Sequence, residues 1–341
     1  MTLSPDTAQL VSVALYSPTP DETVSFFYNM LGMEISHREG QSVYMRAYED
    51  FYQYTLKITE RDQPGLEEVT WRARSPEALD RIVASVEATG LGGGWTETDY
   101  AHGRAYRFTT PDGHRMKILW ELDYFITPED LRCKLRNRPS RRPLRGVPVR
   151  RLDHVNIMVR DVPAVRDFMA DNLGFKLREE KIGDGGVTVG AWMSVSALVH
   201  EIAIMRDALG AGNRFHHVCY WYGVPQHLLD IADICAEYDI RIEAGPAKHG
   251  TTQAYFLYVF EPGGNRVELF GDTGYLIFDP DWQTVTWNVA NEIDLEKSSI
   301  WFGGHLPNSF YRYGTPAVPG AELDTFFKTG VTTDNPIADV T

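Results

Sequence analysis

Cysteine is scarce. The 341 residues hold three, Cys133, Cys219 and Cys235, and none stands in a CxxC pair. An odd count without paired spacing gives no disulfide framework. Long apolar runs are missing too, since none approaches the roughly 20 residues that span a bilayer. The opening MTLSPDTAQLVSVAL lacks the charged and apolar regions of a secretory signal. A cytoplasmic chain with no membrane partner is expected. Positive charge is in deficit, with 33 Lys and Arg against 47 Asp and Glu and a net charge of -14. Phosphate repels such a surface, so no nucleic-acid partner is expected. The one basic stretch, RCKLRNRPSRRPLRGVPVRR from Arg132 to Arg151, is broken by Pro139, Pro143 and Pro148. It reads as an extended linker with solvated arginines rather than a targeting or nucleic-acid patch.

What is present is a globular composition, 43% hydrophobic and 23% charged, at a length that suits two domains. An internal repeat organises it. LDHVNIMVRDVPAVRDFMADNLGFKL, from Leu152, lies over LVSVALYSPTPDETVSFFYNMLGMEI, from Leu10. Each copy opens with a β-branched, apolar run that reads as a strand. A Pro-containing turn follows, then apolar residues at helical spacing: Val24, Phe27, Met30 and Leu31 in one, Val165, Phe168, Met169 and Leu173 in the other. Gly32 and Gly174 stand where helix C-caps belong. A second pair begins at Leu66 and Phe215, and runs into the turns TTPDGHRMKILW, from Thr109, and FEPGGNRVELFG, from Phe260. A Pro-x-Gly turn between strands signals a hairpin.

Four units of strand, helix and several strands result, two in each half. The unit resembles the βαβββ module of the vicinal oxygen chelate superfamily, an α+β fold in which paired modules shape a sheet around a cavity. Two such pairs joined near residue 140 resemble the type I extradiol ring-cleaving dioxygenases over roughly residues 8–320. The expected organisation is a metal-free domain over 1–138, a linker over 139–150, a catalytic metal-binding domain over 151–290, and a tail over 291–341 that acts as lid or interface.

The repeat contains its own control. Three equivalent strand positions carry His154, His217 and Glu268 in the C-terminal half, and Ser12, Glu68 and Lys117 in the N-terminal half. Two imidazoles and a carboxylate can form a facial triad with open positions, suited to non-haem Fe(II), and Mn(II) suits the same ligands. A lysine ammonium would repel a cation. In the pair His216-His217, strand alternation turns the two rings to opposite faces. The repeat register selects His217 as ligand and leaves His216 to pack on the other side.

The stretch HGTTQAYFLYVFEPGGNRVE, from His249 to Glu268, is similar to the extradiol signature: a His, an apolar-Tyr pair at Leu257-Tyr258, the Glu261-Pro262-Gly263-Gly264 turn, and the metal-binding Glu268. Ala247, two residues before His249, departs from it. The resemblance implies that a catechol and O2 meet at the metal and that the ring opens beside the two hydroxyls. It implies acid-base work for His200 and substrate contacts for His249 and Tyr258. His249 also fits a turn-forming role, because His102 recurs in the same frame, and Tyr258 also fits a core position. Asn156, two residues beyond His154, shares its strand face and can reach the oxygen site or simply pack.

The family's dihydroxyphenylacetate enzymes hold the substrate carboxylate with arginines. Here Ala244 and the stretch NEIDLEKSSIW stand at those places, so a carboxylate-bearing substrate is disfavoured. The aromatic-rich C-terminal half suits an apolar ring substituent. A homo-oligomer, dimer or tetramer, is implied. The same module also builds glyoxalase-like isomerases and metal-free binding proteins, which have no need of this triad together with His200, His249 and Tyr258.

Overall fold

The computed structural model describes residues 5–327. The last part of the expected tail, 328–341, lies outside the described residues. The first half holds strands β1 (Thr7–Ser17), β2 (Glu34–Glu39), β3 (Ser42–Arg46), β4 (Leu56–Glu60), β5 (Gly65–Ala73), β6 (Gly92–Thr96), β7 (Ala105–Thr109) and β8 (Arg115–Leu119). The second holds β9 (Arg151–Val159), β10 (Lys176–Ile182), β11 (Thr188–Ser194), β12 (Ile202–Arg206), β13 (Arg214–Trp221), β14 (Ile242–Lys248), β15 (Tyr255–Phe260), β16 (Arg266–Phe270) and β17 (Val285–Asn288). Helices α1 (Pro20–Ser25), α2 (Pro76–Ala88), α3 (Val162–Leu173) and α4 (Gln226–Glu237) each follow a module's first strand. Four βαβββ modules are therefore present, as the repeat implies.

The helices form where the sequence marks them. Ser75 caps α2 by accepting from Ala78 N, and Asp161 caps α3 by accepting from Ala164 N, each with a proline in the first turn. Gly174 ends α3 with φ +77°, a left-handed conformation that costs a side-chain-bearing residue more. After α1 the chain widens into a π-turn over Phe26–Met30 rather than continuing as one α-helix. Buried apolar residues of α2 (Leu79, Ile82, Val86) and α3 (Val165, Phe168, Met169) join one core shared by both halves, where Trp71 meets Phe175 and Phe108 meets Phe168. Each such side chain contributes about 1.5–3 kcal/mol by leaving water.

The strand order is β2-β3-β4-β1-β5-β8-β7-β6 in one sheet and β14-β15-β16-β13-β9-β12-β11-β10-β17 in the other. In each, the first strands of the two modules lie antiparallel at the centre. The registers also correspond. Cys219 stands opposite His154 on one side and Glu268 on the other, and Thr70 stands likewise between Ser12 and Lys117. The three compared positions are thus equivalent in space.

The basic segment departs in part from the solvated linker expected: Arg132, Arg136, Arg141 and Arg142 are exposed, but others are held. Arg138 and Arg150 both pair with Glu49, and Arg145 pairs with Glu34. Val147 and Val149 are buried. The arginines find carboxylates on the first half's surface, and the valines between them hold the segment down. No described helix is long and apolar enough to cross a membrane.

Candidate functional site

Strands β9, β13 and β16 are neighbours, and each delivers one side chain to a single point. His154 Nε2 and His217 Nε2 lie 3.1 Å apart, and Glu268 Oε2 is 2.9 Å from each. All three residues are buried. Three cis ligands at roughly 2.1 Å from one cation stand about 3 Å apart, so the spacing fits a facial set. Glu268 Oε1 is buried without a hydrogen-bond partner among the described residues and faces His249 Nε2 at 3.5 Å.

Hydrogen bonds behind the triad fix its tautomers. His154 Nδ1 donates to Asp153 Oδ1 at 3.0 Å, which leaves the Nε2 lone pair facing the point. Arg151 holds the other Asp153 oxygen at 2.8 Å. His216 Nε2 donates to the carbonyl of Phe310 at 2.8 Å, so its Nδ1 is free to accept. His217 Nδ1 donates to it at 2.6 Å, and again Nε2 is the bare nitrogen. His216 therefore does not pack away from the site, as alternation led one to expect. A register shift between Phe215 and His217 breaks the alternation and brings the two rings together.

The charges fit a cation. Burial alone would lower His154, but Asp153 and Glu268 outweigh it and raise its pKa to about 9. Burial pushes His217 down to about 4. Glu268 stays well below the usual carboxylate range: burial opposes this, but His217 and His154 prevail. Without a metal, a proton on His154 sits where a cation would.

The remaining expected residues gather at the same place. The triad, His200, His249, Tyr258 and Asn156 line one cavity of about 790 Å³. His200 stands just before β12, buried, with its ring 3.9 Å from that of His154. Burial first, and His154 next, push its pKa well down, so it is neutral. His249 Nδ1 donates to the Ser299 carbonyl at 2.6 Å, so its Nε2 accepts from the Tyr258 hydroxyl at 3.1 Å. Tyr258 is buried and its pKa is raised well above normal, by burial first and then by Glu268. Asn156 donates through Nδ2 to Met205 Sδ at 3.1 Å, and its Oδ1 is buried without a partner among the described residues.

Sequence reasoning missed Asp153 and the role of His216, and it expected the tail as lid or interface without naming which of its residues reach the cavity. Helices α5 (Glu292–Ser299) and α6 (Asn308–Arg312) supply Ser298, Ser299, Phe310 and Tyr311 to the cavity wall. Adjacency in the DH and HH pairs was the one signal for the first two. Among the aromatic residues of the C-terminal half, Trp192 and Phe270 line the cavity, whereas Tyr220 and Phe256 are core.

In the N-terminal half an ammonium occupies the equivalent point. Lys117 Nζ lies 3.4 Å from Glu68 Oε1 and 2.9 Å from Asp99 Oδ2. Beside it, Tyr54 OH and His102 Nδ1 are 2.8 Å apart. Register places Tyr54 where the other half has His200.

The model of the Glyoxalase/Bleomycin resistance protein/Dioxygenase superfamily matches residues 9–118 and 151–269. A metapyrocatechase of Geobacillus stearothermophilus is 51% identical over 91% of this chain and 94% of its own length. The chain belongs to the extradiol dioxygenases of this superfamily. A second relative of this extradiol dioxygenase, the manganese-dependent 2,3-dihydroxybiphenyl 1,2-dioxygenase of Geobacillus genomosp. 3, is 36% identical over 89% of the chain and 96% of its own length. Among solved structures, the anaerobic 3,4-dihydroxyphenylacetate complex of homoprotocatechuate 2,3-dioxygenase from Brevibacterium fuscum superposes with a TM-score of 0.79. It is 27% identical and covers 91% of this chain and 93% of its own.

Proposed function

We propose that this extradiol dioxygenase opens a catechol-type ring beside its two hydroxyls, using O2 and a divalent metal held by His154 Nε2, His217 Nε2 and Glu268 Oε2. Iron(II) is the metal we favour, and manganese(II) suits the same ligand set. The carrying observation is the 2.9–3.1 Å triangle of those three atoms, buried in the wall of a cavity large enough for an aromatic diol.

When bound, the metal supplies open positions for the diol and O2 and a route for electrons between them. The residues around it handle protons and position. His249 Nε2 is kept as an acceptor by the Ser299 carbonyl, so it can take the proton a diol hydroxyl sheds on binding. The Tyr258 hydroxyl, now bonded to that nitrogen, orients the same substrate oxygen. His200, neutral and buried, is placed to give or take a proton at the reacting oxygen atoms on the other side of His154. Asn156 Oδ1 offers an acceptor there. Trp192 and Phe270 wall the ring from water.

The N-terminal half, residues 1–138, serves as the metal-free partner, with 139–150 as its strap to the catalytic half, 151–290. The described part of the tail, 291–327, walls the cavity through Ser298, Ser299, Phe310 and Tyr311. Three free cysteines, two of them buried, suit a reducing cytoplasm. Exposed Ile126, Leu144 and Phe278 suit contacts in a homo-oligomer, dimer or tetramer. The test of the activity is the product. Chain loaded anaerobically with Fe(II) or Mn(II), given catechol and air, should yield the yellow hydroxymuconic semialdehyde. Muconate, the product of cutting between the hydroxyls, would refute the proposal.

A further inference from the structure

The cavity holds a cation that the proposed chemistry does not use. Lys181 on β10 stands opposite Gly190 on β11, which stands opposite Met205 on β12. The neighbouring row runs from Trp192 through Ala203 to Asn156. Side chains of both rows face the cavity. Along the strands Lys181 is therefore one row, roughly 7 Å, beyond Asn156, itself one row beyond His154, and it lies three strands across the sheet from them. Gly190 makes room for the Trp192 ring, which a Cβ there would meet at 3.0 Å.

The ammonium lies 5.3 Å from the Trp192 ring centroid. Its hydrogen bond is to Ser299 Oγ at 3.4 Å, and it forms no ion pair among the described residues. Tyr311 OH reaches the same Ser299 Oγ at 3.3 Å, and the Ser299 carbonyl holds His249. The carboxylate two residues away, Glu179, is engaged by Thr252 N, Tyr275 OH and Trp287 Nε1, each at 2.7 Å. Arg206 at the rim is also without an ion pair among the described residues, whereas Asp207 is taken by Arg214. Lys181 and Arg206 are thus cations of the cavity wall left without an ion pair among the described residues, in a chain of net charge -14. Burial lowers the Lys181 pKa to about 8, and the nearby Glu179 carboxylate only partly opposes this.

We propose that Lys181, with Tyr311 and Ser299, forms an anion subsite that receives a carboxylate on the catechol ring or its side chain. The subsite rests on the proposed function, and it reverses the expectation drawn from the missing arginines. A lysine on a different strand supplies the charge, beyond Trp192, where a ring held at the triad would point its substituent.

The experiment is anaerobic calorimetry on the full chain loaded with Mn(II), titrated with 3,4-dihydroxyphenylacetate and with 4-methylcatechol. Lys181→Met should raise the Kd ratio of acid to neutral diol by about 10-fold or more, the scale of one charge-assisted hydrogen bond. Lys181→Arg should keep most of the wild-type ratio. An unchanged ratio in Lys181→Met, including one in which both affinities fall together, would overturn the subsite. Turnover is read separately as O2 uptake with catechol. Loss of that signal with the Lys181-dependent ratio intact would defeat the ring-cleaving reading and leave the subsite standing.

Discussion

His216 Nδ1 lies 2.6 Å from His217 Nδ1, although the two residues are consecutive in a strand. The irregular pairing after Phe215 makes this contact, and the Phe310 carbonyl gives it a direction. His216 is thereby the positioning residue for one proposed metal ligand, and it ties that ligand to the tail. His216→Phe should weaken metal binding by about 10- to 100-fold while the far-UV circular dichroism stays that of wild type. His216→Gln, which can still accept from His217, should recover part of the loss. Competition with a chelator of known affinity measures both. Equal affinity in all three proteins would remove His216 from the account.

His200 touches the cavity but not the triad point. His200→Phe should keep a full complement of metal and lose about 10²-fold or more in kcat, since a positioned proton donor contributes on that scale. Metal analysis beside O2-saturated kinetics checks this. Turnover at the wild-type rate would confine His200 to packing.

A buried ion pair anchors the tail. Arg266 Nη2 lies 2.8 Å from Glu243 Oε1, and the guanidinium also donates to the carbonyls of His216, Ser309 and Tyr313. Arg266→Met strands the Glu243 carboxylate, which costs about 3–5 kcal/mol. Urea unfolding should show that loss. A change below about 1 kcal/mol would mean that water reaches the carboxylate.

Glu201 predicts a pH dependence of stability. Burial raises its pKa to about 7, against opposing bonds from Ser196 and Val195 N. The folded chain then binds this proton more tightly than the unfolded chain, whose value is 4.5. The group's contribution is fully present below pH 4.5, falls as pH rises to about 7, and is level above, a span of up to about 3 kcal/mol. Glu201→Gln lacks this titration. The Tm of Glu201→Gln minus that of wild type, both metal-free, should therefore rise between pH 5 and pH 8. A constant difference would show that Glu201 is solvated.

Much of this was legible in the sequence, for a reason that particular residues make clear. The repeat supplied a register, and a register turns His154, His217 and Glu268 from scattered polar residues into three points on adjacent strands. Lys117 at the matching place told the halves apart. Alternation failed at His216, because one irregular pairing shifts a side chain to the other face and leaves no mark in the residue types. It was silent on Lys181, since a lysine on a strand reads as solvent-facing until the sheet's neighbours are known. The contacts of Ser299 and Phe310 come from residues some 30–40 positions beyond the last βαβββ strand, and no local pattern announces them. Arg138, Arg145 and Arg150 looked as solvated as the exposed Arg136 and Arg141, because their partners, Glu34 and Glu49, lie about 100 residues earlier.

The measurement that bears most directly on the central claim is metal stoichiometry in wild type and in Glu268→Ala, each loaded anaerobically with Fe(II) and freed of excess metal. One ion per chain in the wild type and close to none in the variant, with both folded by circular dichroism, is the predicted result. A fully occupied Glu268→Ala would place the metal elsewhere and contradict the site.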